Sequence, residues 1–222
     1  MLENKSLIID FDSTFIKVET IDELAKIILK NDPKKDFKLK LIEDITNSAM
    51  NGDIDFSIAL QKRLKILSFK KQDVINITKD ISLLVSKSFQ RNIEFIRSIS
   101  ENIWIVSGGF KDVITPIVNE FGIRAERVLA NEFIYEGEKV IGCNENNPLF
   151  KDKGKILAIE NSKIDGLKIM VGDGFTDYEV FKNGTSDYFI YYYENIKREK
   201  VSSLTHFKAK SFEELIKIVN EL

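Results

Sequence analysis

One cysteine, one histidine, one tryptophan and three prolines occur in 222 residues, and each scarcity removes a class of chemistry. A lone Cys143 excludes an internal disulfide and a multi-cysteine zinc site. Six residues further on stands Leu149, so the Cys-x5-Arg loop of cysteine-based phosphatases is missing as well. His206 lies far in sequence from every other polar cluster, which argues against His-based triads and His-rich metal sites and leaves acid/base work to carboxylates or lysines. Both residues read as structural. No apolar run approaches the roughly 20 residues needed to span a bilayer, and the polar stretch Met1 to Ser6 lacks the apolar core of a signal peptide. A net charge of -2 offers no basic field to nucleic acid or to an anionic membrane. The expectation is a cytoplasmic protein with neither of those partners.

What is present is an ordinary globular composition, 43% hydrophobic and 31% charged, with a conspicuous opening. Leu7-Ile8-Ile9 is too short and too β-branched for a helix and reads as a buried strand. It runs straight into Asp10-Phe11-Asp12-Ser13-Thr14. The strand therefore delivers two carboxylates to the sheet edge, where open α/β folds bind ligands. In a strand-like continuation, residues two apart face one side, so Asp10 and Asp12 would share a crevice. Two acids in a dry pocket need a cation or a proton between them, which points to a metal site and allows an Asp nucleophile.

After Asp12 the pattern turns helical. Thr20 or Asp22 can cap a helix through Leu24, Ile27 and Ile28 that Pro33 closes. A second helix carries Phe37, Leu41, Ile45 and Ala49, and a third carries Phe56, Ala59, Leu60, Leu64 and Leu67 at three- and four-residue spacing. Helical patterns continue over Gln72 to Leu84 and Phe89 to Ile99. Strands then alternate with helices: Ile103 to Val106, Val128 to Ala130, a hairpin over Phe133 to Ile141, Lys168 to Val171 and Tyr188 to Tyr191. Such alternation implies a parallel sheet covered on both faces. The fold class is α/β, a Rossmann-like three-layer core with a helical segment inserted directly after the first strand.

Three further clusters sit at sheet edges. Ser107-Gly108-Gly109 offers a hydroxyl and unhindered N–H groups before a helix, either a phosphate site or a turn that needs glycine. Gly172-Asp173-Gly174-Phe175-Thr176-Asp177 adds two carboxylates or is simply an acidic turn; it lacks the third glycine of the dinucleotide fingerprint. Lys153 begins a helix in Lys151-Asp152-Lys153-Gly154-Lys155, without the Walker pattern. The Asp10 region is not a calcium loop, since Phe15 and Ile21 occupy the places of the loop glycine and the terminal Glu. The lysine-rich stretches, Lys197 to Lys200 among them, read as solvated helix faces.

Taken together, Asp-x-Asp, Ser-Gly, Lys and Gly-Asp-x3-Asp occur in the order found in the haloacid dehalogenase superfamily of phosphohydrolases. Asp10 to Thr14, Glu19 to Ala25, Met50, Phe56, Arg63, Ser107 to Phe110, Lys153-Gly154 and Asp173 to Asp177 resemble the phosphoserine phosphatase family along most of the chain. That resemblance implies a core of residues 1–15 and 86–222 and a small helical-bundle cap of residues 16–85. It implies Asp10 as nucleophile, Asp12 as acid and base, and Lys153 as positive charge beside the transferring group. Mg²⁺ would be held by the carboxylates of Asp10 and Asp173 and the carbonyl of Asp12, with Asp177 orienting Lys153 or metal-bound water. Ser107, Gly108 and Thr176 would contact the substrate phosphate side. Arg63 would grip a carboxylate, Glu19 an ammonium, and Met50 and Phe56 would form an apolar wall.

The implied substrate is a small phosphorylated metabolite, phosphoserine first, handled by a monomer or homodimer. Another small-molecule phosphomonoesterase or a phosphotransferase is the alternative within the superfamily. A phospho-accepting signalling receiver is the alternative outside enzymes, against which Asp12 and the cap both argue. Thr176 departs from the Asn of many relatives, and Tyr191-Tyr192-Tyr193 replaces an expected small-residue loop.

Overall fold

The computed structural model describes residues 2–222. Strand β1, Lys5–Ile9, alternates its side chains between two apolar layers: Leu7 and Ile9 join one cluster, Ile8 the other. Two covered faces explain why the strand is apolar at consecutive positions rather than at every second one. The chain then makes a wide turn closed by the Ile16 N–H on the Phe11 carbonyl, 3.0 Å. Asp12 stays extended within this turn while Ser13 takes the left-handed conformation, φ 56°.

Four helices follow: α1 (Thr20–Ile28), α2 (Lys35–Met50), α3 (Phe56–Ile66) and α4 (Lys71–Ser82). Neither Thr20 nor Asp22 caps α1 with its own side chain. The helix begins at Thr20, whose N–H is accepted by Asp12 Oδ1 at 3.2 Å, so a carboxylate from the preceding turn stabilises the helix N-terminus. The two linkers meet where Ile16 pairs antiparallel with Val85, flanked by Lys17 N–H to the Leu84 carbonyl and Ser86 N–H to the Phe15 carbonyl, both 2.9 Å.

Short helices α5 (Lys87–Arg91) and α6 (Ile93–Ser98) lead to β2, Ile103–Phe110. The chain continues through α7 (Lys111–Asn119), β3 (Val128–Asn131), the hairpin β4 (Phe133–Glu136) and β5 (Lys139–Cys143), α8 (Gly154–Glu160), β6 (Leu167–Gly172), α9 (Phe175–Lys182), β7 (Tyr188–Tyr192), α10 (Glu199–Ser202), β8 (Lys208–Ala209) and α11 (Phe212–Glu221). Six strands form one sheet in the order β3-β2-β1-β6-β7-β8, all pairs parallel. From β1 the chain goes first to one side (β2) and later to the other (β6). The crevice at β1 is thus the topological switch point where such sheets bind ligands. β8 has two residues, too few for an alternation pattern to reveal it.

Tyr191 and Tyr192 are fully buried. They fill the core on opposite faces of β7. The helical insertion shares one apolar cluster with the sheet layer, in which Leu24, Leu60, Ile77 and Ile81 belong together with Val113, Ile117 and Ile105. The hairpin reaches the insertion too, through Lys71 N–H to the Glu138 carbonyl (2.8 Å) and Val140 N–H to the Phe69 carbonyl (3.1 Å).

Candidate active site

The C-terminal ends of β1, β2 and β6 bring Asp10, Ser107 and Asp173 to one crevice. Asp10 directly follows β1, its N–H bonded to the Val171 carbonyl at 2.9 Å. Its Oδ1 accepts the Phe11 N–H at 2.8 Å and pairs with Lys155 Nζ at 2.8 Å. The same ammonium reaches Asp177 Oδ1 at 2.5 Å, while Asp177 Oδ2 accepts the Gly174 N–H at 3.0 Å. Asp173 is held by the Thr14 hydroxyl at 3.2 Å and Arg198 Nε at 2.7 Å.

Asp10, Asp173 and Asp177 each present an oxygen within 4.8 Å of the others, all buried. Burial raises the Asp10 carboxyl, against the pull of Lys155, and pushes Asp177 up to about 8. Burial pulls the Lys155 ammonium down, but the carboxylates of Asp10 and Asp177 outweigh it and hold it charged. Three acids against one lysine and one arginine leave the cluster negative when ionised. All-oxygen donors with surplus negative charge suit a hard divalent cation, and the residues present fit one.

The carboxylate of Asp12 is turned elsewhere. Its Oδ1 takes the N–H and hydroxyl of Thr20, and burial raises it to about 7. A Cβ on Gly109 would lie 3.5 Å from its Oδ2, so that oxygen faces the Ser107–Gly109 segment. This segment is not a turn opening a helix. β2 bulges across it and resumes pairing at Phe110 with Asn131, because the buried Asn131 amide ties down the Gly108 carbonyl at 2.9 Å and the Leu149 carbonyl at 3.2 Å. Ser107 Oγ accepts the Gly109 N–H at 3.0 Å.

Above this floor lies a cavity of about 170 Å³. Asp10, Asp12, Glu19, Met50, Phe56, Arg63, Ser107, Gly108, Lys153 and Thr176 all line it. Asp173 and Asp177 lie fully buried at its base. From the insertion, Phe56 meets Gly108 so closely that a Cβ there would sit 2.2 Å from the ring, and Gly52 meets Phe175 in the same way, at 2.6 Å. Ser57 Oγ donates to Asp152 at 2.6 Å, and Lys200 pairs with Asp53 at 2.6 Å.

Two buried basic residues at the crevice differ from the sequence reading. The ammonium paired with Asp10 and Asp177 belongs to Lys155, not Lys153. Gly154 packs against the Pro148 carbonyl, where a Cβ would come within 2.5 Å, so α8 starts there with Lys155 turned inward. Lys153, left-handed at φ 56°, is exposed at the cavity wall. The signal was available: Lys155, Ala158 and Ile159 fall at i, i+3, i+4, one buried stripe of α8. Arg198 was hidden in a lysine-rich run read as solvated. It is buried, with Nη2 3.6 Å from Glu19 and no hydrogen-bond partner for that atom.

Residues 7–182 match the family model of haloacid dehalogenase-like hydrolases. The chain belongs to the haloacid dehalogenase-like hydrolases. Within reach of this hydrolase is a phosphoserine phosphatase of Drosophila melanogaster, 32% identical over 93% of this chain and 75% of the relative. Among solved structures, a phosphoserine phosphohydrolase-like protein from Francisella tularensis subsp. tularensis SCHU S4 superposes with a TM-score of 0.87 at 35% identity, covering 97% of this chain and 99% of that one. A phospho-aspartyl intermediate analogue of phosphoserine phosphatase superposes with a TM-score of 0.77 at 26% identity, with coverage of 97% and 99%. No helix of this hydrolase among the described residues is long and apolar enough to cross a membrane.

Proposed function

We propose that the chain is a phosphoserine phosphatase, converting O-phospho-L-serine and water to L-serine and phosphate through an aspartyl phosphate on Asp10. The observation that carries this reading is the cavity's pairing of a phosphoryl-transfer floor with a roof of Glu19, Met50, Phe56 and Arg63. A carboxylate and an ammonium beside a phosphate are the groups that Arg63 and Glu19 complement.

In the first step an Asp10 carboxylate oxygen attacks phosphorus and the serine oxygen departs, taking the proton of Asp12. An acid raised to about 7 by burial carries that proton at neutral pH and can take one back. In the second step Asp12 deprotonates water, whose oxygen attacks phosphorus and expels the Asp10 carboxylate with inorganic phosphate. The Ser107 hydroxyl and the Gly108 N–H donate to the phosphoryl oxygens. Thr176, which lines the same cavity, contacts the same ligand. Lys155 fixes Asp10, and Lys153 supplies charge at the mouth.

Asp10, Asp173 and the Asp12 carbonyl would hold Mg²⁺, with Asp177 beside them holding Lys155. When bound, that cation offsets the repulsion between an anionic nucleophile and an anionic phosphate. The helical insertion, residues 16–85, serves as the cap that selects the substrate.

The test is phosphate release from phosphoserine, phosphothreonine, phosphoethanolamine and a sugar phosphate, with wild type beside Asp10→Asn. The expected result is preference for phosphoserine and a loss on the order of 10⁶ in kcat for the variant, the scale seen when a covalent nucleophile is removed. A preference for the sugar phosphate overturns the substrate, and near-normal activity of Asp10→Asn overturns the mechanism.

A further inference from the structure

Arg63 is 3% exposed, yet its guanidinium makes no ion pair among the described residues. Nε donates back to the Ala59 carbonyl at 3.2 Å, and Nη1 donates to Thr46 Oγ1 at 3.1 Å. The Thr46 hydroxyl in turn donates to Asp22 Oδ1 at 2.9 Å. Its Cζ lies over the Phe56 ring, 6.0 Å from the centroid, within reach of a cation–π attraction. A buried cation with no counter-charge would cost several kcal/mol; the carboxylate of Asp22 is the chief one that offsets it, with Glu19 and Asp12 behind it. Were Asp22 in direct contact, its two oxygens would occupy the planar fork, and a substrate carboxylate would have to displace it.

We propose that Thr46 and Asp22 are positioning residues for Arg63, with the Thr46 hydroxyl acting as a spacer that keeps the counter-charge one hydrogen bond away and leaves the guanidinium's free edge for the carboxylate of the substrate. This rests on the reading of Arg63 as the carboxylate-binding group. The relay joins α1, α2 and α3, and Thr46 is 1% exposed, so both the hydroxyl's proton and its acceptor lone pair have fixed partners. Val offers neither, so Thr46→Val frees Arg63 to turn onto Asp22 or to lose its aim.

The experiment measures kcat and KM of Thr46→Val, Thr46→Ser and Arg63→Met with phosphoserine and with phosphoethanolamine, which lacks the carboxylate. For Thr46→Val, kcat/KM should fall about ten-fold on phosphoserine, the scale of one hydrogen bond to a charged group, through KM rather than kcat. On phosphoethanolamine the fall should be under about two-fold, and Thr46→Ser should recover the loss, because its hydroxyl can donate and accept as before. Equal falls on both substrates, or none on phosphoserine, overturn the relay. If Arg63→Met is selective for phosphoserine while Thr46→Val is not, the relay alone fails. If Arg63→Met affects both substrates equally, the carboxylate reading fails and the relay with it. Should Thr46→Val not accumulate as folded protein, Asp22→Ala, which removes the acceptor of the Thr46 hydroxyl, reads the same relay, with the same selective fall expected and an equal fall on both substrates counting against it.

Discussion

Replacing Lys155 by Met removes one ammonium from between two buried carboxylates. Lys155 is shared by Asp10 at 2.8 Å and Asp177 at 2.5 Å, with side chains no more than 9% exposed. Deleting one partner of a buried pair costs about 3–5 kcal/mol, because the charge left behind is neither solvated nor paired. Here two carboxylates lose a partner, so the upper half of that range applies. For a chain of this size about 2–4 °C of melting temperature accompanies each kcal/mol, which puts the drop at roughly 8–20 °C. The measurement is thermal unfolding in EDTA for wild type, Lys155→Met and Lys153→Met. Lys153 is exposed at the cavity wall, so its replacement should shift stability by no more than about 0.5 kcal/mol. Added Mg²⁺ should recover part of the Lys155→Met loss, since a cation among the same oxygens supplies the missing positive charge. A Lys155→Met melting point within about 2 °C of wild type, in EDTA, refutes the reasoning, since the arithmetic of buried pairs leaves no room for it.

Gly108→Ala places a Cβ 2.2 Å from Phe56 Cζ, so the ring must swing away from the cavity floor. An overpacking cost of about 1–3 kcal/mol should appear as a rise in KM for phosphoserine, and Phe56→Leu in the same chain should recover part of it; a double variant no better than Gly108→Ala alone would contradict this contact. Burial, then the nearby Glu145 carboxylate, push the Cys143 thiol up to about 11. Since the thiolate is the nucleophile, its alkylation by iodoacetamide should be slow at pH 8 and quicken about ten-fold per pH unit up to pH 10. A rate already level at pH 9 would count against that shift.

The parts of this protein most legible in its sequence are those whose signal is local. Leu7-Ile8-Ile9 and Lys168 to Val171 announce themselves because a strand buried on both faces must be apolar at every position. The acids that follow inherit their place from the strand end. Lys155 is locally encoded in the helical stripe it shares with Ala158 and Ile159, whereas the motif Lys153-Gly154 points to the lysine two residues earlier. Arg198 was not legible. Its neighbours Lys197 and Lys200 are 61% and 60% exposed, and only the fold brings the guanidinium back to Asp173 across 25 residues. The bulge at Ser107–Gly109 was equally hidden, because its cause is the amide of Asn131, 23 residues away from Gly108.

The insertion is sewn to the sheet along most of its border. Ile16 pairs with Val85 at the linkers, Phe69 and Lys71 pair with the hairpin, and one apolar cluster runs beneath. The remaining border carries the polar contacts Ser57–Asp152 and Asp53–Lys200 beside the close approaches of Phe56 to Gly108 and of Gly52 to Phe175, and the Lys200–Asp53 pair is half exposed or more on both sides. A solvated ion pair holds by about 1 kcal/mol or less and weakens with salt. The polar contacts on that border are therefore the weakest of those joining the insertion to the sheet. Salt should loosen these exposed polar contacts before the apolar ones that keep the molecule folded.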